Sequence, residues 1–195
     1  MKAYYEARAR EYDDWYLGAN LYEQRDRPGW EEELDALRDV IASLPPVRTL
    51  DVACGTGFLT RHLRGQVVGL DQSTSMIDVA RQQAPDAELV AGDALSLPFD
   101  DASFDRVFTA HFYGHLEDPE RRAFIAEARR VAQELVVVDS ARTDETPPDG
   151  MDRRVLSDGT RWEVYKRWFR GDELAEELGG GVVLHEGRYF VIVRA

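Results

Sequence analysis

The chain has 195 residues, long enough for one well-buried core and short for two, so one domain over residues 1–195 is expected. With 44% hydrophobic and 31% charged residues it is far from the composition of a disordered chain. A net charge of −13 repels phosphate backbones and anionic membranes, which argues against nucleic acid and membrane surfaces as partners.

The opening residues turn charged at once, so they lack the apolar stretch of a signal peptide. No later run approaches membrane-spanning length, and a cytoplasmic location is expected. From Trp30 to Leu44 the residues Leu34, Leu37, Ile41 and Leu44 recur at helical spacing, and Pro45-Pro46 ends the helix. A strand over Val47 to Ala53 follows directly. Further strands are predicted at Gln66 to Asp71, Ala87 to Ala91, Phe104 to Thr109 and Glu134 to Asp139. The unbroken apolar run Leu135 to Val138 predicts burial on both faces. Between the strands, Phe58 to Leu63 reads as a helix, Ser73 or Ser75 caps another through Met76 and Ala80, and Asp118-Pro119 begins a third with Phe124, Ala128 and Val131 on one face. Strands alternating with helices imply an α/β fold with a doubly wound, mostly parallel sheet. The ending differs. Val182 to His185 and Arg188 to Val193 flank Glu186-Gly187, read as a two-residue hairpin turn that makes an antiparallel edge.

In an open parallel sheet, ligands bind beyond the carboxyl ends of the strands, so the residues that follow each strand carry the information. After the first come Asp51, Ala53, Gly55 and Gly57, small residues that let backbone approach a ligand. Alone, this glycine turn fits a ligand-free turn equally well. Asp71 ends the second strand, twenty positions after Asp51, where a carboxylate can accept hydrogen bonds from both ribose hydroxyls. Gly92-Asp93-Ala94 follows the third strand, where an acid and the next amide can read the edge of adenine, although a plain type I turn has the same pattern. Three acids at three successive strand ends are more specific than any one of them.

The sequence resembles the class I S-adenosylmethionine-dependent methyltransferases, especially the small-molecule group. The resemblance rests on Leu50 to Gly57, Val68 to Ser73, Met76, Gly92 to Leu95 and Phe104 to Val107. It implies a Rossmann-like, seven-stranded sheet with a C-terminal antiparallel hairpin, and S-adenosyl-L-methionine as cofactor with S-adenosyl-L-homocysteine as product. By this resemblance the first acid and glycine turn hold the methionine part, Asp71 and Gln72 the ribose side, and Asp93 and Ala94 the adenine side. Met76, Gly92 and Ala110 complete the expected cofactor contacts. Ala53 departs from the pattern, since many members have glycine there. A nicotinamide enzyme is the rival of similar fold, but the third glycine of its turn would fall at Thr60 and no room is left for a substrate domain. The other alternative is a non-catalytic cofactor-binding or regulatory protein.

The aromatic start, Tyr4, Tyr5, Tyr12, Trp15 and Tyr16, resembles the segment that closes over the cofactor in this family. It makes residues 1–30 a lid, with Tyr12 as its contact. After the fourth strand stand His111 and His115, placed near the expected transfer point; either could act as general base, and a structural hydrogen bond is the competing role for His115. Residues 142–170 form an insert on the acceptor side, and between Met151 and Arg170 it carries Arg153, Arg154, Arg161, Lys166, Arg167 and Arg170 against Asp152, Asp158 and Glu163. Its expected roles are an anionic or aromatic acceptor pocket tested at Arg161 and Arg167, a homodimer contact, or a solvated hairpin turning at Ser157 to Thr160. Cys54, the single cysteine, has no metal-ligand companions and reads as a buried filler in a reducing compartment; no metal is expected. The acceptor is expected to be a small molecule.

Overall fold

The computed structural model describes every residue from Met1 to Ala195. In chain order the elements are α1 (Lys2–Arg8), α2 (Asp14–Leu17), α3 (Trp30–Ser43), β1 (Val47–Val52), β2 (Gly65–Asp71), α4 (Thr74–Gln83), β3 (Glu88–Ala91), β4 (Phe104–Ala110), α5 (Asp118–Val131), β5 (Ala132–Ser140), β6 (Asp149–Val155), β7 (Arg161–Arg167), α6 (Gly171–Glu177), β8 (Val182–Glu186) and β9 (Phe190–Arg194). Seven strands form one sheet in the order β3-β2-β1-β4-β5-β9-β8. β1 to β5 pair in parallel, and β9 runs antiparallel to β5 and β8. This is the Rossmann-like, mostly parallel sheet with a terminal antiparallel pair that the sequence implies. No helix is long and apolar enough to cross a membrane.

β5 shows why the sheet is covered on both sides. Successive side chains of a strand point to opposite faces. Leu135 and Val137 therefore join the larger core beneath α5, with Phe124, Ala128 and Val131, while Val136 and Val138 join the core beneath α3, with Leu34, Leu37 and Ile41. Ser73 caps α4 by accepting the Met76 N–H at 3.2 Å, and the reciprocal Glu117 and Glu120 box starts α5.

Several local expectations are corrected. Phe58 to Leu63 is not an α-helix; only Thr60–His62 turns, as a 3-10 helix. The connection must return the length of β1, roughly 20 Å at about 3.3 Å per residue. Six residues of α-helix cover only about 9 Å, which favours a more extended path. Glu186-Gly187 is not a two-residue turn either, because β8 includes Glu186 and the loop runs over residues 187–189. The Glu33 carboxylate of α3 accepts the N–H groups of Arg188, Tyr189 and Phe190 at 2.8–3.0 Å, so a helix acid shapes this loop. Elsewhere strand ends shift by one or two residues, and Ala53 leaves β1.

From β1 the chain winds outward to β2 and β3, then crosses back to β4 on the other side of β1. The crevice at that switch lies beyond the carboxyl ends of β1 and β4. Two pieces cover it. The N-terminal segment is tied down by Glu6, which accepts the Thr74 and Ser75 N–H groups at 2.9 and 3.1 Å, and by Asp13, which accepts the Thr56 hydroxyl at 2.6 Å. The separate β6–β7 hairpin packs Leu156 and Val164 against Tyr4 of α1, and its Ser157 N–H donates to Glu11.

Candidate active site

Beyond β1 the backbone is left-handed at Ala53, Gly55 and Gly57, with φ of +58°, +56° and +79°. This folds the loop back until the Gly55 N–H donates to Asp71 Oδ2 at 2.9 Å; Oδ1 of the same carboxylate accepts the Ser73 N–H at 2.8 Å. Burial raises the Asp71 carboxyl above its ordinary value, and those two amides oppose it. A Cβ at Gly57 would sit 3.3 Å from Ala80 and Ala84, so that glycine lets the loop pack on α4.

A cavity of about 300 Å³ opens over this turn, within the range of small-ligand sites. Ten predicted cofactor contacts line it: Tyr12, Ala53, Gly55, Asp71, Gln72, Met76, Gly92, Asp93, Ala94 and Ala110. Asp93 folds its own turn by accepting the Leu95 N–H at 2.9 Å, while the Ala94 N–H has no protein acceptor, which leaves an acid and an amide side by side at the wall. Two predicted contacts do not line this cavity. Gly57 has the packing role just described. Asp51 lies beneath the loop, accepts the Thr60 hydroxyl at 2.6 Å, and borders a void of about 20 Å³ that shares Tyr12, Ala53 and Ala110 with the cavity. Burial pushes its carboxyl up to about 7, against the Thr60 hydrogen bond. Cys54 is a buried filler as expected, with burial driving its thiol well up and Gly69 leaving room for its sulfur.

Sequence reasoning missed Met1, Tyr5, Leu70, Leu95, Phe112, Leu116 and Glu120 in the same cavity. Leu70, Leu95 and Phe112 adjoin positions already singled out and were findable. Leu116 and Glu120 reach the wall through the fold alone.

A second cavity of about 500 Å³ lies between the N-terminal segment, the turn after β4 and the β6–β7 hairpin. The two cavities share Tyr5, Tyr12 and His111. His111 is left-handed at φ +54°, lies among Trp15, Tyr16 and Phe190 with ring centroids 5.1–5.8 Å away, and has a buried Nε2 with no hydrogen-bond partner. Burial lowers its pKa to about 3, so it is a neutral imidazole. His115 lines the second cavity and donates Nδ1–H to the Tyr165 carbonyl at 2.7 Å; this structural bond leaves Nε2 unprotonated in the neutral ring. Burial drives its pKa well down too.

Only three of the six cations between Met151 and Arg170 reach this cavity: Arg153, Arg154 and Lys166. Arg161 and Arg167 do not line it. Arg161 is exposed, and Arg167 pairs with Glu177 at 3.1 Å. Lys166 is ion-paired with Asp139, which also accepts the Gly114 N–H at 2.7 Å. Burial opposes ionisation of Asp139, but the Lys166 ammonium holds its carboxyl below the ordinary value.

Residues 50–135 match the family model described as a methyltransferase domain. That stretch contains the loop after β1, Asp71, Asp93 and both histidines. Residues 50–135 are therefore a methyltransferase domain, in keeping with the resemblance to the class I S-adenosylmethionine-dependent methyltransferases. Demethylmenaquinone methyltransferase of Thermotoga maritima is 37% identical to the chain over 98 residues, 48% of this chain and 42% of that protein. The chain thus spans less than half the length of the curated relatives it matches. Likeness to solved structures extends further than this. The DhpI-SAH complex superposes with a TM-score of 0.76 at 28% identity, covering 98% of this chain and 92% of that one, and the DhpI-SAM-HEP complex with 0.77 at 27%, covering 98% and 94%. The likeness includes the N-terminal segment and the hairpin, which flank the methyltransferase domain on both sides.

Proposed function

We propose that the protein transfers the methyl group of S-adenosylmethionine to a small-molecule acceptor. The observation that carries this reading is the meeting of two cavities at Tyr5, Tyr12 and His111, one lined by the glycine turn and the strand-end acids, the other by polar groups. The first fits the cofactor. Asp71 spends one lone pair of each oxygen on backbone amides and keeps the others for ribose hydroxyls. Asp93 and the unpaired Ala94 amide present the acceptor and donor that an adenine edge complements. Asp51, reached through the small void, lies where a cofactor ammonium would be neutralised.

Bound there, S-adenosylmethionine supplies an electrophilic methyl group on a sulfonium with a good leaving group. The protein's own contribution is placement, since holding a nucleophile about 3 Å away in line supplies much of the rate of a displacement. Tyr5 and Tyr12 wall both cavities, and burial pushes the Tyr12 hydroxyl up to about 12, so it stays neutral. His111, also neutral, offers a nitrogen to the acceptor's hydroxyl or amine and orients it.

Calorimetry with S-adenosylmethionine, S-adenosylhomocysteine and NADH tests the cofactor, and binding of NADH alone would falsify the reading. Release of S-adenosylhomocysteine in the presence of a metabolite panel separates an enzyme from a cofactor-binding regulator.

A further inference from the structure

The second cavity has a charge opposite to that of the molecule. Five of its lining side chains, Arg8, Arg25, Arg153, Arg154 and Lys166, are cationic, and only Asp152 among them is acidic, in a chain of net charge −13. Three of these charges are accounted for. Arg154 pairs with Asp152 at 2.9 Å, Lys166 with Asp139, and the exposed Arg153 with Glu163 at 3.2 Å. Arg8 is different. Its residue is only 6% exposed, and no carboxylate lies within ion-pairing distance. Its guanidinium donates to the Tyr4 hydroxyl at 2.8 Å and the Tyr22 hydroxyl at 3.4 Å, and stacks 4.8 Å from the centre of the Tyr12 ring. A buried guanidinium held only by neutral phenols is a costly arrangement unless an anion completes it. Arg25, at the mouth, is likewise without an acid and lies over the Tyr22 ring at 4.6 Å.

We propose that the methyl acceptor carries an oxyanion, a carboxylate or phosphate-type group, held by Arg8 and supported by Arg25 and Arg154. This rests on the reading of the first cavity as the cofactor site and names the substrate class of the second. Tyr12 separates the two functions. One face of its ring carries Arg8, and its edge lies about 4 Å from where a Cβ on Gly55 of the cofactor loop would stand. The acceptor is therefore compact, with its nucleophile about one ring's breadth from its anionic group, on the Tyr5 and His111 side. The guanidinium matches a two-oxygen group better than a point charge would, which makes arginine the informative residue here.

The test uses the full chain saturated with S-adenosylhomocysteine and titrated calorimetrically with inorganic phosphate, acetate and ethylammonium. The expected result is binding of phosphate or acetate, no binding of ethylammonium, and a loss of about ten- to a hundredfold in anion affinity in Arg8→Met, with Arg8→Lys intermediate. S-adenosylhomocysteine affinity, titrated first into each free protein, reports folding. If that affinity is absent in the unaltered protein, the cofactor reading fails. If it is present and the anions bind Arg8→Met as they bind the unaltered protein, or bind neither, the oxyanion proposal is overturned. A second arm needs no variant: S-adenosylhomocysteine release is compared for alcohols and amines with and without a carboxylate or phosphate a few atoms away. Turnover confined to the charged members supports the proposal, and equal turnover of the neutral members overturns it.

Discussion

Asp71 holds Gly55: the carboxylate that ends β2 accepts, at 2.9 Å, the amide of the loop that leaves β1, and with its other oxygen the Ser73 amide that leads into α4. One side chain thus sets the position of both backbone pieces at the cavity, and the ribose reading gives it further bonds to make. Asp71→Ala is expected to weaken S-adenosylhomocysteine binding by about 1 to 3 kcal/mol, the usual cost of stranding buried hydrogen-bond partners. Asp71→Asn should lose less, because the amide oxygen can still accept from Gly55. Titration calorimetry decides, and unaltered affinity in the alanine variant would remove Asp71 from the site.

Ala53 carries a side chain at φ +58°, where an L-residue is strained by about 1 to 2 kcal/mol and glycine is not. Ala53→Gly releases that strain but gives the unfolded chain more freedom, worth about 0.4 to 1 kcal/mol in the other direction. The balance predicts a gain of about 0.5 kcal/mol or more in unfolding free energy, read by urea denaturation. A clear loss instead would mean that the Ala53 methyl makes packing contacts at the cavity wall that outweigh the strain.

These two positions also show what the sequence could say. The strand-end acids and the glycine turn carry their role in local spacing, because a parallel strand delivers its last residues to one edge of the sheet whatever the rest of the chain does. Hence ten of the twelve named contacts meet in one cavity. Asp51 lies one layer beneath the others, on the small void that shares Tyr12, Ala53 and Ala110 with the cavity, because it is still within β1 where the loop residues have left it. The second cavity was less readable. Its Arg8 and Tyr22 come from the N-terminal segment and its Arg154 and Lys166 from a hairpin more than a hundred residues later, a pairing that only packing establishes. Charge counting singled out Arg161 and Arg167, neither of which lines this cavity: Arg161 is exposed and Arg167 faces Glu177.

The neutral histidines give the fold an acid sensitivity. Burial lowers His111 to about 3, against about 6.5 in an unfolded chain. The unfolded state then binds the extra proton between those values, so this contribution is complete above about pH 6.5 and is lost as pH falls towards 3. Asp51, raised to about 7, acts in the opposite sense, losing stability as pH rises from about 4 to 7, so a comparison of variants isolates the histidine. Between pH 7.5 and 5, His111→Asn is expected to lose about 2 kcal/mol less than the unaltered protein. Parallel urea-denaturation curves at the two pH values would show that His111 is not held neutral.

Glu6 ties the N-terminal segment to the helix that follows Asp71. Its two carboxylate oxygens accept the Thr74 and Ser75 amides, two of the four N–H groups that the first turn of α4 leaves without helical partners. The side chain is only half-buried at the surface, so little of the fold's stability depends on it. Met1, Tyr5 and Tyr12, however, sit on the segment that it anchors and form one wall of the cofactor cavity. Loosening such a cover changes escape more than entry, since affinity differences among variants of one site fall mostly in the off-rate. Glu6→Ala is therefore expected to raise the dissociation rate of S-adenosylhomocysteine about three- to tenfold while the melting temperature of the free protein moves by no more than about 2 °C. Stopped-flow displacement measures the rate, and limited proteolysis gives an independent reading: cleavage within residues 1–22 should quicken in the variant and slow again when the ligand is added. An unchanged off-rate together with unchanged cleavage would show that the segment stays in place without Glu6, and that Asp13 and Glu11 hold it instead.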